Sequence, residues 1–78
     1  MKKIWHNAKN ETPIVSCKVL VLAENGAVYT ISYSKIWNAF NVSDGYDYTE
    51  EEVKECAFDD VIAWAYLSDV LEEINNEI

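Results

Sequence analysis

The sequence predicts a small α+β domain: an antiparallel sheet built on one hairpin, with a short acidic helix and a C-terminal helix. Three observations predict it. Apolar, β-branched runs at 17–23 and 27–33 flank Asn25-Gly26; another apolar run, 61–67, sits between Asp59-Asp60 and Ser68-Asp69; and Thr49-Glu50-Glu51-Glu52 has the form of a helix start. With 78 residues the chain suffices for one domain, 1–78. A chain of this size hides only roughly 60% of its extended surface, so its core is modest. Half the residues are apolar and 13% are aromatic, which argues against disorder despite the charge.

Residues 1–13 form an N-terminal arm. Met1-Lys2-Lys3 starts like the basic region of a signal peptide, but Ile4-Trp5 is followed at once by His6-Asn7-Ala8-Lys9-Asn10, so no such peptide is expected. The stretch 5–13 reads as irregular, anchored by Trp5, with His6 solvated. Pro13 stops any helix and extends Thr12.

Residues 14–42 carry the hairpin and a candidate third strand. Asn-Gly between two strand-like runs predicts a two-residue type I′ turn, in which both central residues need φ > 0. That register sets Leu22 opposite Tyr29 and Leu20 opposite Ile31 on a core face. Val21 then faces Thr30, and Val19 faces Ser32, on a partly covered face. The stretch 36–42 fits either a third strand or a loop holding Trp37 and Phe40 inward, and Ser43-Asp44-Gly45 is a turn.

In residues 49–78, Thr49 and Glu52 have the spacing of a capping box, opening a helix to about Ala57. For 61–67 periodicity alone leaves strand and buried helix open. Val61, Ile62, Trp64 and Tyr66 are β-branched or aromatic, which favours a strand; the alternative is one long helix from Thr49. After a strand, Ser68 or Asp69 would cap a C-terminal helix with Val70, Leu71 and Ile74 on its apolar face.

Trp5 with Pro13, Val19-Leu20-Val21, Asn25-Gly26-Ala27-Val28-Tyr29 and Val61-x-x-Trp64-x-x-Leu67 resemble the small phage and prophage proteins of the Domain of Unknown Function 551 family. Members usually place Pro after the final Leu, where this chain has Ser68, and residues 43–60 read as a longer acidic insertion. The resemblance implies a compact sheet-based domain of bacterial or phage origin. It implies no activity and transfers no functional residues.

Net charge is −8, unevenly spread. Residues 1–43 carry five Lys against Glu11 and Glu24, a net of +3, while 44–78 carry twelve acids against Lys54, a net of −11. This opposes direct binding to a phosphate backbone, and the apolar runs are too short to span a bilayer. Cys17 and Cys56 are expected as free thiols in a reducing cytoplasm.

No catalytic, cofactor or metal site emerges. His6, Cys17 and Cys56 lack zinc-ligand spacing, and nothing in their spacing favours a Cys–His nucleophile. Adjacent acids at Asp59-Asp60 and Asp69 read as caps or turn residues. Glu50-Glu51-Glu52 complements the helix dipole, and the two glycines make no phosphate cradle. The surplus of rings is more informative. Tyr46 and Tyr48, beside Asp44, Asp47 and Glu51, are the candidate partner contacts. The expected function is a non-catalytic protein-interaction module. Alternatives are an acidic DNA mimic that inhibits a nucleic-acid-binding protein, and small-molecule binding or a minor enzymatic role near His6. An edge strand and a partly apolar sheet face also give a second copy a place to dock.

Overall fold

Gly26 sets the register of the sheet. Its backbone is left-handed (φ +85), a region that costs an L side chain roughly 1–2 kcal/mol and glycine nothing. The Gly26 N–H donates to the Ala23 carbonyl at 3.0 Å, the Ala23 N–H to Ala27 at 2.9 Å, and the Ala27 N–H to Asn25 Oδ1 at 2.9 Å. The connection is therefore a three-residue loop, Glu24-Asn25-Gly26, closed by the Ala23–Ala27 pair. Asn25 is not left-handed, so the expected type I′ turn does not form. One extra loop residue moves the pairing to Val19↔Ile31, Val21↔Tyr29 and Leu22↔Val28.

A one-residue shift turns a strand over. Val19, Val21 and Ala23 are buried, whereas Leu20 and Leu22, expected in the core, are half-buried. On the partner strand Ile31 and Tyr33 are buried and Tyr29 is exposed. The hairpin stands, and its faces are corrected.

In this computed structural model, which describes residues 4–77, the elements are β1 (His6–Asn7), β2 (Cys17–Ala23), β3 (Val28–Ser34), β4 (Ala39–Phe40), α1 (Glu50–Cys56), β5 (Val61–Tyr66) and α2 (Leu67–Glu77). The reading of Met1-Lys2-Lys3 lies outside the described residues. The strands form one antiparallel sheet in the order β1-β5-β2-β3-β4. This is the expected α+β class.

Between β3 and β4 the chain makes a tight turn in which Asn38 (φ 50) takes left-handed backbone, as does Asn41 (φ 69) just after β4. Asparagine tolerates that region better than most residues. Phe40 is buried and Trp37 half-buried, so the segment left open as strand or loop is a two-residue strand after a loop.

α1 begins as its sequence dictates. Thr49 accepts from the Glu52 N–H at 3.2 Å, while the Glu52 carboxylate accepts from the Thr49 N–H at 3.1 Å. β5 is a strand, which rules out a single helix from Thr49 onward. It pairs with β2 as Val19↔Tyr66, Leu20↔Ala65 and Val21↔Trp64, with an irregularity near Ile62.

The core cluster of Val19, Val21, Ile31, Tyr33, Phe40 and Trp64 lies on one face of the sheet, with Phe58, Val61 and Tyr66 packed against it. α2 follows Tyr66 without a break, so its first residue is Leu67 and neither Ser68 nor Asp69 acts as the expected cap. Its apolar stripe is only partly packed: Val70 is half-buried, but Leu71 and Ile74 are 52% and 50% exposed. No helix among the described residues is long and apolar enough to cross a membrane.

A Cβ at Gly26 would meet nothing within 4 Å, so Gly26→Ala should cost only backbone strain, roughly 1–2 kcal/mol. Thermal denaturation should show a Tm lower by about 4–8 °C per kcal/mol for a domain of this size. Gly26→Asn should lose less, and an alanine variant as stable as the wild type would contradict the turn.

Candidate functional site

Three surfaces gather the chemistry-bearing side chains. The first is where the N-terminal segment crosses β5. His6 and Asn7 pair with Trp64 and Ala63, and the Ala8 N–H donates to the Ile62 carbonyl at 3.0 Å. The His6 ring stacks on Trp64 (centroids 4.3 Å apart, 20° between planes) and meets the edge of Tyr66 at 5.7 Å. Its Nδ1 lies 3.2 Å from a Glu11 carboxylate oxygen. The Trp64 indole N–H donates to the Glu11 carbonyl at 3.0 Å, and the Tyr66 hydroxyl accepts from the Ile14 N–H at 3.1 Å.

His6 is therefore part of a strand and an aromatic stack, not a solvated arm residue, and the stretch 5–13 is not wholly irregular. Trp5 is half-buried and Pro13 fully buried. His6 is engaged by a carboxylate and two rings. The thiols sit elsewhere, Cys17 at the start of β2 and Cys56 at the end of α1, and both are free.

The second surface centres on Asp44. Ser34, fully buried, donates to its carboxylate at 2.6 Å and accepts from the Trp37 N–H at 3.2 Å. Ser16 accepts from the Lys35 N–H at 2.8 Å and also hydrogen-bonds Asp44. Two relays thus run from backbone donors of the β3–β4 turn, through a hydroxyl, to one carboxylate. The Ser16 and Ser34 hydrogen bonds hold the Asp44 carboxyl below its usual range.

Beside it lies an open hollow of about 330 Å³, bordered by Ser16, Cys17, Lys18, Ser32, Tyr33 and Asp44. Hydroxyls, one cation and one carboxylate equip it to hydrogen-bond a small polar molecule. Burial pushes the Cys17 thiol up, away from the thiolate that nucleophilic or metal chemistry needs.

The third surface is acidic. Tyr46 is 60% exposed and lies 4.8 Å from the half-buried Tyr48. Asp47 and Glu51 are exposed nearby in sequence, on the loop before α1 and in its first turn. Of the five candidate contacts, Tyr46, Asp47 and Glu51 are thus available at the surface. Tyr48 is partly packed, and Asp44, though exposed, is engaged by serines. On α2, Asp69, Glu72 and Glu73 accompany the exposed Leu71 and Ile74.

Sequence reasoning did not find Ser16 and Ser34, because their relays join residues distant in the chain. It found the stripe of α2 but not its exposure. No group of three or more His, Cys, Asp or Glu among the described residues is arranged to hold a metal ion. Comparison with protein-family models, curated proteins and solved structures gives no match to this chain.

Ser34→Ala should lower the Tm, since it removes the acceptor of the Trp37 N–H from a fully buried position, while the exposed Asp44 carboxylate turns to water. Because the folded pKa of Asp44 lies below its ordinary 3.8, its stabilising contribution is complete above that value and fades as pH falls towards the folded one. Urea midpoints of the wild type should therefore drop on acidification below about pH 4. Asp44→Asn should start lower and show a smaller drop; parallel curves for the two proteins would refute the relay.

Proposed function

We propose that this chain is a non-catalytic protein-interaction module whose acidic C-terminal half docks a cationic, partly apolar surface on another protein. One observation carries the reading. Residues 44–78 hold twelve of the fourteen acids, and among the described residues the one ion pair within 4 Å is His6–Glu11, in the other half. Among the described residues, then, no ion pair neutralises these acids. Exposed apolar side chains, Tyr46, Leu71 and Ile74, occur in the same half. Charge steers encounter and selects the partner, while buried apolar and aromatic groups supply affinity.

The resemblance of the Trp5–Pro13 spacing and of Val61-x-x-Trp64-x-x-Leu67 to a phage and prophage family supports a bacterial or phage origin. The two free thiols support a reducing, cytoplasmic setting. A DNA mimic shares the acidity, but that reading gives no role to exposed Leu71 and Ile74.

Capture from a bacterial lysate at low salt should retrieve a basic protein and lose it as salt screens the contact. Asp47→Lys with Glu51→Lys sets like charges against such a partner, at a cost of several kcal/mol, so binding should weaken by at least about tenfold. Leu71→Ser should also weaken it without altering the fold. Empty capture at low salt would count against the module. Displacement of the captured protein by duplex DNA, with Leu71→Ser silent, would favour the mimic.

A further inference from the structure

Alternate residues of a strand aim their backbone N–H and C=O groups to opposite sides. In β3, the Ala23–Ala27 bond fixes which side each residue serves. Tyr29, Ile31 and Tyr33, in step with Ala27, bond to β2; Val28, Thr30 and Ser32 point away from it. The Asn41 N–H confirms this parity, because it reaches the Ser32 carbonyl at 2.7 Å from the outer side. β4, however, covers only Tyr33 and Ser34. The N–H and C=O groups of Val28 and Thr30 are left on an uncovered edge, where Val28 is 54% exposed and Tyr29 and Thr30 are also exposed.

The other edges of the sheet are blunted as edges usually are. β1 and β4 are two residues long, too short to template another chain. β3 has neither defence of this kind nor any other. Its seven residues, Val28-Tyr29-Thr30-Ile31-Ser32-Tyr33-Ser34, include no charge and no proline, the residues that commonly guard an exposed strand.

We propose that this edge is a homodimer interface, in which a second copy of the chain pairs antiparallel along β3 and continues the sheet across both protomers. The edge is complementary to itself. With a two-fold axis at Tyr29, Val28 lies opposite Thr30 of the partner subunit and Thr30 opposite Val28 of the partner subunit. Each pair exchanges two N–H···O=C bonds, so the uncovered donors and acceptors of Val28 and Thr30 are all used. Tyr29 then meets its own copy at a position without hydrogen bonds, where facing side chains come closest.

Charge points the same way. The edge belongs to the half of the chain with a net of +3, and the strand itself is neutral. No like charges therefore face each other across the paired strand residues themselves. This interface is independent of the acidic docking surface, and salt separates the two. A cationic partner is released as salt rises, whereas two copies each of net −8 associate more tightly as their repulsion is screened.

Sedimentation equilibrium across a concentration series tests the interface on the full chain. The wild type should approach twice the 9.0 kDa chain mass at high concentration, return to 9.0 kDa on dilution, and shift towards dimer with added salt. Thr30→Pro removes an outward donor without taking a bond from β2, and Thr30→Lys places a charge on the edge. Both should remain at the monomer mass throughout. If the proline variant fails to fold by circular dichroism, the lysine variant decides. Amide exchange at Val28 and Thr30 should slow at least tenfold from dilute to concentrated wild type and should not change in Thr30→Lys. A wild type that stays monomeric at every concentration, or a dimer that persists in Thr30→Lys, would overturn the proposal.

Discussion

The fold depends on where one indole sits. Trp64 is the largest side chain that the structure buries completely, and its surroundings satisfy both of its characters. Its faces and edges meet His6, Tyr66 and the aliphatic side chains of β2, while its N–H donates to the Glu11 carbonyl. A buried indole N–H without an acceptor carries a desolvation penalty. The acceptor comes from a segment more than fifty residues earlier, so burying Trp64 well requires the N-terminal segment to lie across β5. The His6–Glu11 contact and the Ile14–Tyr66 hydrogen bond fasten the same crossing. Packing, hydrogen bonding and chain path are one constraint there, and a domain with so modest a core has little else to hold that segment.

A second constraint, the loop at Gly26, shows what one residue decides. Strand side chains alternate between faces, so loop length determines which of two apolar sets is buried. Both sets were available: Val19 and Val21 on one side, Leu20 and Leu22 on the other. The three-residue loop selects the valines, which pack with Trp64, Ile31 and Tyr33, and leaves the leucines half-buried. Near-equal hydrophobicity on the two faces of β2 is why the pattern of residues did not distinguish them.

The same physics separates what was legible in the sequence from what was not. The capping box at Thr49 and Glu52 is a local device, complete within four residues, and it forms as read. β5 was legible from its β-branched and aromatic content, and the hairpin from two apolar runs around a glycine. β1 was not, because nothing in His6-Asn7 favours a strand until Trp64 and Ala63 lie alongside. The Asp44 relays likewise depend on the fold bringing Ser16 and Ser34 together. In α2 the spacing of Val70, Leu71 and Ile74 reads correctly as an amphipathic stripe, while Leu67, read with the strand run, begins the helix instead. Which part of that stripe packs, however, depends on how the helix leaves β5, and no local signal encodes that angle. The candidate surface was legible to the same degree: composition placed the acids and rings, while the fold determined that Tyr46 is open and Asp44 engaged.

Two kinds of exposed surface therefore coexist in one small sheet, and their chemistry keeps them apart. The outer edge of β3 is neutral and offers unused backbone groups, which only another extended backbone can satisfy in register. The acidic half offers side chains, whose long-range field acts before contact and is indifferent to register. On the proposed reading, that field steers a cationic partner towards α1 and α2. Because the acids follow Asp44 while β3 precedes it, the division is already drawn along the chain. In the fold the two surfaces meet where the Phe58 ring packs edge-on against Tyr29 at 5.5 Å.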